Sequence, residues 1–181
     1  PRAFPPPILP FNPKTNMKSL IVYSSKTGNT KKVAEAILSV LPAGTEIFPV
    51  ENAPDPDGYD FVAVGYWVDK GTANQEMAAY LPKIRGKKVG VFFTLGAFPD
   101  SPHAEESFRN GSALLGEDCE VVAKFWCQGA IDPKLTEWMS KLPAEHPHAP
   151  NPESLRRWAE AAKHPDGNDL EAAKDAFRNV I

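Results

Sequence analysis

The sequence predicts an α/β fold: a doubly wound, five-stranded parallel sheet covered by helices on both faces, in three α/β/α layers. Three observations carry this. From Met17 onward, apolar runs short enough to be strands alternate with amphipathic stretches of helical period. Runs such as FVAVG and KKVGVFF are continuously apolar, as strands buried on both faces must be. The first strand, IVY, passes at once into the hydroxyl-rich loop SSKTGNT and then into KKVAEAILSVL, a strand–loop–helix junction of the kind that right-handed crossovers repeat.

The elements follow in order. Residues 1–16, PRAFPPPILPFNPKTN, are rich in proline and lack any period, so an extended arm outside the core is expected, with Phe4, Ile8, Leu9 and Phe11 available to dock on a neighbour. Met17 looks like the natural start of the domain, expected to run over 17–142. Strands are expected near 18–23, 46–50, 60–65, 88–94 and 119–127, and helices near 29–41, 72–81 and 102–115. The first helix places Val33, Ile37, Val40 and Leu41 on one face. Pro82 should stop the second. Pro102 suits the first turn of the third, where its missing N–H costs nothing, and Ala104, Phe108 and Leu115 form that helix's apolar face. The tail, 143–181, predicts two further helices packed on the domain. One starts at Asn151 and Pro152 with the stripe Leu155, Trp158, Ala159 and Ala162. The other is capped by Asn168 with Glu171 and carries Leu170, Ala173, Phe177 and Ile181.

Composition narrows the function. The 181 residues are 42% hydrophobic and 24% charged, the balance of a soluble globular domain, and no apolar run approaches the roughly 18 residues that span a bilayer. A net charge of −3 gives no basic face for nucleic acid. Cys119 and Cys127 are the only cysteines; on one strand they would lie roughly 26 Å apart, against a limit near 7 Å for a disulfide, so they read as packing residues. With no leader visible, a cytoplasmic protein is expected.

The chemistry concentrates in Ser24, Ser25, Lys26, Thr27, Gly28, Asn29 and Thr30. A helix N-terminus offers unpaired amides and roughly half a positive charge, both of which favour an anion. The hydroxyl and amide side chains add partners, and Gly28 lets the backbone curl. A phosphate ester is the expected guest; an ordinary turn capped by Asn29 or Thr30 is the competing reading. Neither GxxxxGK[ST] nor GxGxxG is present at this junction. Lys26 is expected to point outward.

This loop, Ser25-Lys26-Thr27-Gly28-Asn29-Thr30, resembles the [ST]xTGNT loop of the flavodoxin family, and the resemblance extends over about residues 17–142. It is similar in particular to small flavodoxin-like proteins of anaerobic bacteria, some of them associated with bilirubin reduction. The resemblance implies strand order 2-1-3-4-5 and FMN as cofactor. It also implies that the loops after the third and fourth strands grip the flavin ring. These supply Tyr66, Trp67 and Val68, and Thr94, Leu95, Gly96, Ala97 and Phe98. Aromatic faces would stack on the ring and main-chain groups would meet its pyrimidine edge. Flavodoxins often carry glycine after the tryptophan, which allows a peptide flip toward N5 of the half-reduced flavin. Val68 stands there in this chain, and its β-branch resists the flip.

Asp69 and Asp100 could place negative charge near the ring. His103 could donate a proton, and His146 with His148 forms an HxH pair lacking a third ligand nearby. The resulting expectation is an FMN-binding electron carrier, monomer or weak dimer, working between a reductase and an acceptor enzyme. The alternatives are an FMN-dependent oxidoreductase of the quinone- or FMN-reductase type and a flavin-free binding module.

Overall fold

The computed structural model describes residues 17–181. The arm expected over 1–16 lies outside the described residues. Five strands form the parallel sheet: β1 (Ser19–Tyr23), β2 (Glu46–Pro49), β3 (Phe61–Asp69), β5 (Lys88–Leu95) and β6 (Glu120–Gln128). Their order, β2-β1-β3-β5-β6, is the expected 2-1-3-4-5 arrangement of five parallel strands. A two-residue strand, β4 (Thr72–Ala73), pairs antiparallel with the end of β3.

Two apolar layers sandwich the sheet. On one face α1 (Asn29–Leu38) and α6 (Gly167–Phe177) bury Val33, Ile37, Ala173 and Phe177 against Ile21, Phe61 and Phe92. On the other, α2 (Gln75–Tyr80) and α3 (Pro102–Ser112) cover Tyr66, Phe93 and Val91 with Met77, Tyr80 and Ala104. Helix α6 is therefore no appendage. Phe177 meets Phe92 edge to face, with centroids 6.0 Å apart. It also occupies the space above Gly90, where a Cβ would come within 2.3 Å of its ring.

Several expected boundaries shift for local reasons. The first helix ends at Leu38, although Leu41 remains buried in the same layer. The stretch expected to start the second helix, Thr72–Ala73, instead returns along β3 as a hairpin. Lys70 (φ 50°) and Gly71 (φ 78°) supply the two positive φ angles that a tight two-residue hairpin turn needs. Pro82 sits in a single 3₁₀ turn, Leu81–Lys83, that ends α2. Ser101 caps α3 and Pro102 takes its first position, while Leu115 falls beyond the helix end. Cys119 precedes β6 and approaches the Ile84 carbonyl at 3.2 Å, and Cys127 lies buried within the strand.

The tail differs most. A helix not anticipated from the sequence, α4 (Pro133–Ser140), follows β6, capped by Asp132. Helix α5 (Pro152–Ala161) starts at Asn151 as expected, with a reciprocal Asn151–Ser154 capping box. Its predicted apolar stripe does not face the core: Leu155 is 51% exposed, and Ala159 and Ala162 are exposed too. Helix α6 is capped by Asp166 with Asp169 instead of Asn168 with Glu171, but Leu170, Ala173 and Phe177 form its inner face as predicted.

Candidate functional site

All three loops at the C-terminal edge of β1, β3 and β5 open onto one crevice of about 710 Å³. Hydrogen bonds between them fix its shape. Thr30, in the first turn of α1, is hydrogen-bonded through Oγ1 to Thr94 Oγ1 at the end of β5, 2.9 Å away and buried. Asn29 donates from Nδ2 to the Ala130 carbonyl at 2.9 Å and to Thr27 Oγ1 at 3.1 Å, joining the first loop to the loop after β6. Ser24 Oγ accepts from Asn74 Nδ2 at 2.7 Å, which ties the same loop to the β4–α2 junction. Three of the polar side chains expected to face an anion are thus engaged in holding the loop.

What remains available at the turn is mostly backbone. Gly28 caps α1 in the left-handed region (φ 91°), where no side chain can act as cap. The Lys31 amide donates to Ser25 Oγ at 3.2 Å, while the Asn29 and Thr30 amides have no acceptor among the described residues. No acidic residue occupies the first turn of α1. Unpaired amides at a dipole's positive end, hydroxyls beside them and no competing carboxylate fit a phosphate ester.

The second loop is stiffer than a sequence reading suggests. Trp67 and Val68 lie on β3 itself and line the crevice, half-buried. The Asn74 amide donates to the Trp67 carbonyl, and Asn110 Nδ2 donates to the Gly71 carbonyl at 2.8 Å, so the hairpin is held at base and tip. Tyr66 departs from expectation. It is fully buried in the core, stacked on Phe93 at 5.2 Å, and its hydroxyl donates to the Ser107 carbonyl. Alternation along a strand explains this, since Trp67 and Tyr66 must point to opposite faces. Burial drives the Tyr66 phenol well above its ordinary pKa.

The third loop supplies Thr94, Leu95, Gly96, Ala97 and Phe98 to the crevice wall. The Leu95 carbonyl accepts from Gly129 N at 2.9 Å, and Trp126 Nε1 donates to the Pro99 carbonyl at 2.8 Å. Phe98 is 39% exposed at the rim. His103 and Asp69 also line the crevice; Asp100 does not. His146 packs beside Trp138, and His148 lies beside His146.

Lys26 does not simply point outward. Its ammonium sits 5.7 Å from the centre of the Trp67 ring and 3.1 Å from an Asp132 carboxylate oxygen. The Lys26 ammonium and the Lys134 amide hold the Asp132 carboxyl below its usual pKa. This pair links the first loop to the cap of α4, and it introduces the wall that the sequence reading missed: Ile131, Leu135 and Met139 from the α4 region, and Glu153, Arg157 and Trp158 from α5. Asp132-Pro133 is a recognisable helix start, and Leu135 and Met139 are four apart on it.

A further cluster, His164, Asp166 and Asp169, brings three ligand-type atoms within 4.8 Å of one another. Its bonds are structural. Asp166 and Asp169 form the reciprocal cap of α6, and His164 is hydrogen-bonded to Asp169. The His164 carbonyl meanwhile accepts from the Ala130 amide, beside the first loop's anchor.

The family model for the flavodoxin domain matches residues 20–178, which takes in the loop after β1, the hairpin, the α4–α5 wall and α6. The chain belongs to the flavodoxin family. Among curated flavodoxin-family proteins it is similar to the flavodoxin-like domain-containing protein BilS of Clostridioides difficile (strain CD3), with 32% identity over 91% of this chain and 97% of that protein. It is also similar to the BilS protein of Clostridium symbiosum (strain WAL-14163), with 28% identity over 86% and 92%. Among solved structures, oxidised Flavodoxin 2 from Bacillus cereus shares the fold at a TM-score of 0.51 and 19% identity, covering 88% of this chain and 97% of that one.

Proposed function

We propose that this flavodoxin-family protein binds FMN in the crevice and passes reducing equivalents between a reductase and an acceptor enzyme. The observation that carries the reading is the convergence on one crevice of an anion-fitting turn, an aromatic wall and a main-chain edge, cross-linked by the Thr30–Thr94 hydrogen bond. The free amides at Asn29 and Thr30, with Ser25 and Thr27, would hold the phosphate. Trp67 would cover one face of the ring, and the 94–98 segment would meet its polar edge. Bound FMN supplies one- and two-electron chemistry. The protein's part is to orient the ring, limit water access and set the charge around it, with the Lys26–Asp132 pair at the mouth.

A second reading, an FMN-dependent oxidoreductase with its own substrate pocket, is favoured by the α4–α5 wall, which gives the crevice a side that the three loops do not supply. Anaerobic NAD(P)H oxidation with quinone and flavin acceptors separates the two. A carrier shows no sustained turnover alone and speeds transfer when a reductase and an acceptor are both added; sustained turnover alone establishes the enzyme.

A further inference from the structure

We propose that the α4–α5 wall is a second ligand site within the crevice, for a carboxylate with an apolar aromatic body, whose charge is received by Arg157. The proposal rests on the FMN reading, because it gives the loop side of the crevice to the flavin and the helical side to this ligand.

Two properties of the wall point to such a ligand. The first is apolar surface facing a cavity instead of the core. Ile131, Leu135, Met139 and Trp158 all line the crevice, and Leu135 is still 45% exposed. These four apolar side chains stand with two charged ones, Glu153 and Arg157, a mostly apolar wall with a few polar groups, which is the composition of small-molecule sites.

The second is an uncommitted cation at that wall. Arg157 lines the crevice, is half-buried, and makes no hydrogen bond or ion pair among the described residues. A guanidinium partly removed from water without a partner is unfavourable, and a carboxylate is the group its planar fork fits with two parallel bonds. The other charges at the crevice do not supply this. Lys26 and Asp132 neutralise one another, and Asp69 and Lys70 belong to the hairpin end. Glu153, four residues before Arg157 on α5, lines the crevice without pairing to it and would oppose an anion. Trp158, next to Arg157 in the chain, also lines the crevice, so an aromatic side chain and a cation belong to the same wall.

The test titrates FMN-loaded protein with 2-naphthoate and with neutral 2-naphthamide, followed by calorimetry and by perturbation of the flavin absorption band. Saturable naphthoate binding, at least about tenfold tighter than the amide, is expected, as an arginine–carboxylate pair supplies roughly that discrimination. Arg157→Met should erase the preference while FMN affinity holds, Arg157→Lys should keep part of it, and Glu153→Gln should tighten naphthoate several-fold. Equal binding of both probes, no binding, or a preference that survives Arg157→Met overturns the proposal. So does loss of FMN affinity in Arg157→Met, which would assign the guanidinium to the flavin. If the protein loads FMN and ignores naphthoate, only this site fails; if it takes up no FMN, the flavin reading fails first.

Discussion

Thr30 Oγ1 and Thr94 Oγ1 share a buried hydrogen bond of 2.9 Å that fastens the turn after β1 to the end of β5. Two loops that would hold opposite ends of a flavin are thereby set at a fixed separation. Thr94→Val leaves the Thr30 hydroxyl buried without its partner, a cost of about 1–3 kcal/mol. FMN affinity should fall roughly tenfold. The double variant Thr30→Val/Thr94→Val should recover most of the stability in urea unfolding, but not the affinity. Additive losses in stability would show that the two hydroxyls are not coupled.

Trp67 is the one aromatic residue of the second loop that faces the crevice. Removing it in Trp67→Ala deletes a stacking face and apolar contact area, and FMN should bind roughly 10- to 100-fold more weakly, read from release of flavin fluorescence. Tyr66→Phe should leave affinity unchanged.

Gly111 touches the Tyr66 ring closely enough that a Cβ would lie 2.2 Å from its hydroxyl oxygen. Alanine in a helix interior normally gains about 1 kcal/mol over glycine, but overpacking a buried ring costs about 1–3 kcal/mol. The clash should win. Gly111→Ala should lower the unfolding midpoint, with loss of near-UV tyrosine ellipticity.

His164 is held protonated to higher pH than usual, first by its hydrogen bond to Asp169, then by the charge of Asp169, a hydrogen bond to Glu160 and the charge of Asp166, against partial burial. A raised folded-state pKa contributes stability that is fully present below the unfolded value near 6.5 and is lost as pH rises through the folded value. His164→Gln should therefore destabilise the protein at pH 5.5 and do so less at pH 9, by urea midpoints. A penalty that grows with pH would reverse the assignment.

Val68 sits between two hairpin pairings, with Asp69 opposite Thr72 and the Trp67 carbonyl bound by the Asn74 amide. Both the β-branch and this pairing resist rotation of its peptide. Photoreduction should pass with little accumulation of the blue half-reduced flavin, whereas Val68→Gly should raise it. Abundant blue radical in the unaltered protein would contradict this.

The sheet was legible because both-face burial leaves a continuous apolar signature in FVAVG and KKVGVFF, and the first loop because its polar residues crowd a strand–helix junction. Side-chain direction at one position was not. Tyr66 and Trp67 are equivalent as composition, and only the strand's extension to Asp69 assigns one to the core and the other to the crevice. The returning strand Thr72–Ala73 is hidden at the start of a stretch with passable helical period, just after the turn at Lys70-Gly71. The α5 stripe was real, but periodicity marks an apolar face without saying whether core or cavity receives it. Period alone therefore assigns Trp158 to packing and gives no signal for Arg157.

The central claim is that the turn from Ser24 to Thr30 clasps the phosphate of FMN. Calorimetric titration of flavin-free protein with FMN and with riboflavin tests it most directly. Dipole and charge-assisted hydrogen bonds at the turn should together contribute roughly 3 kcal/mol, so FMN should bind about 100-fold tighter than riboflavin and turn the protein yellow. Equal affinities for the two, or folded protein that stays colourless with no heat on adding FMN, would contradict it.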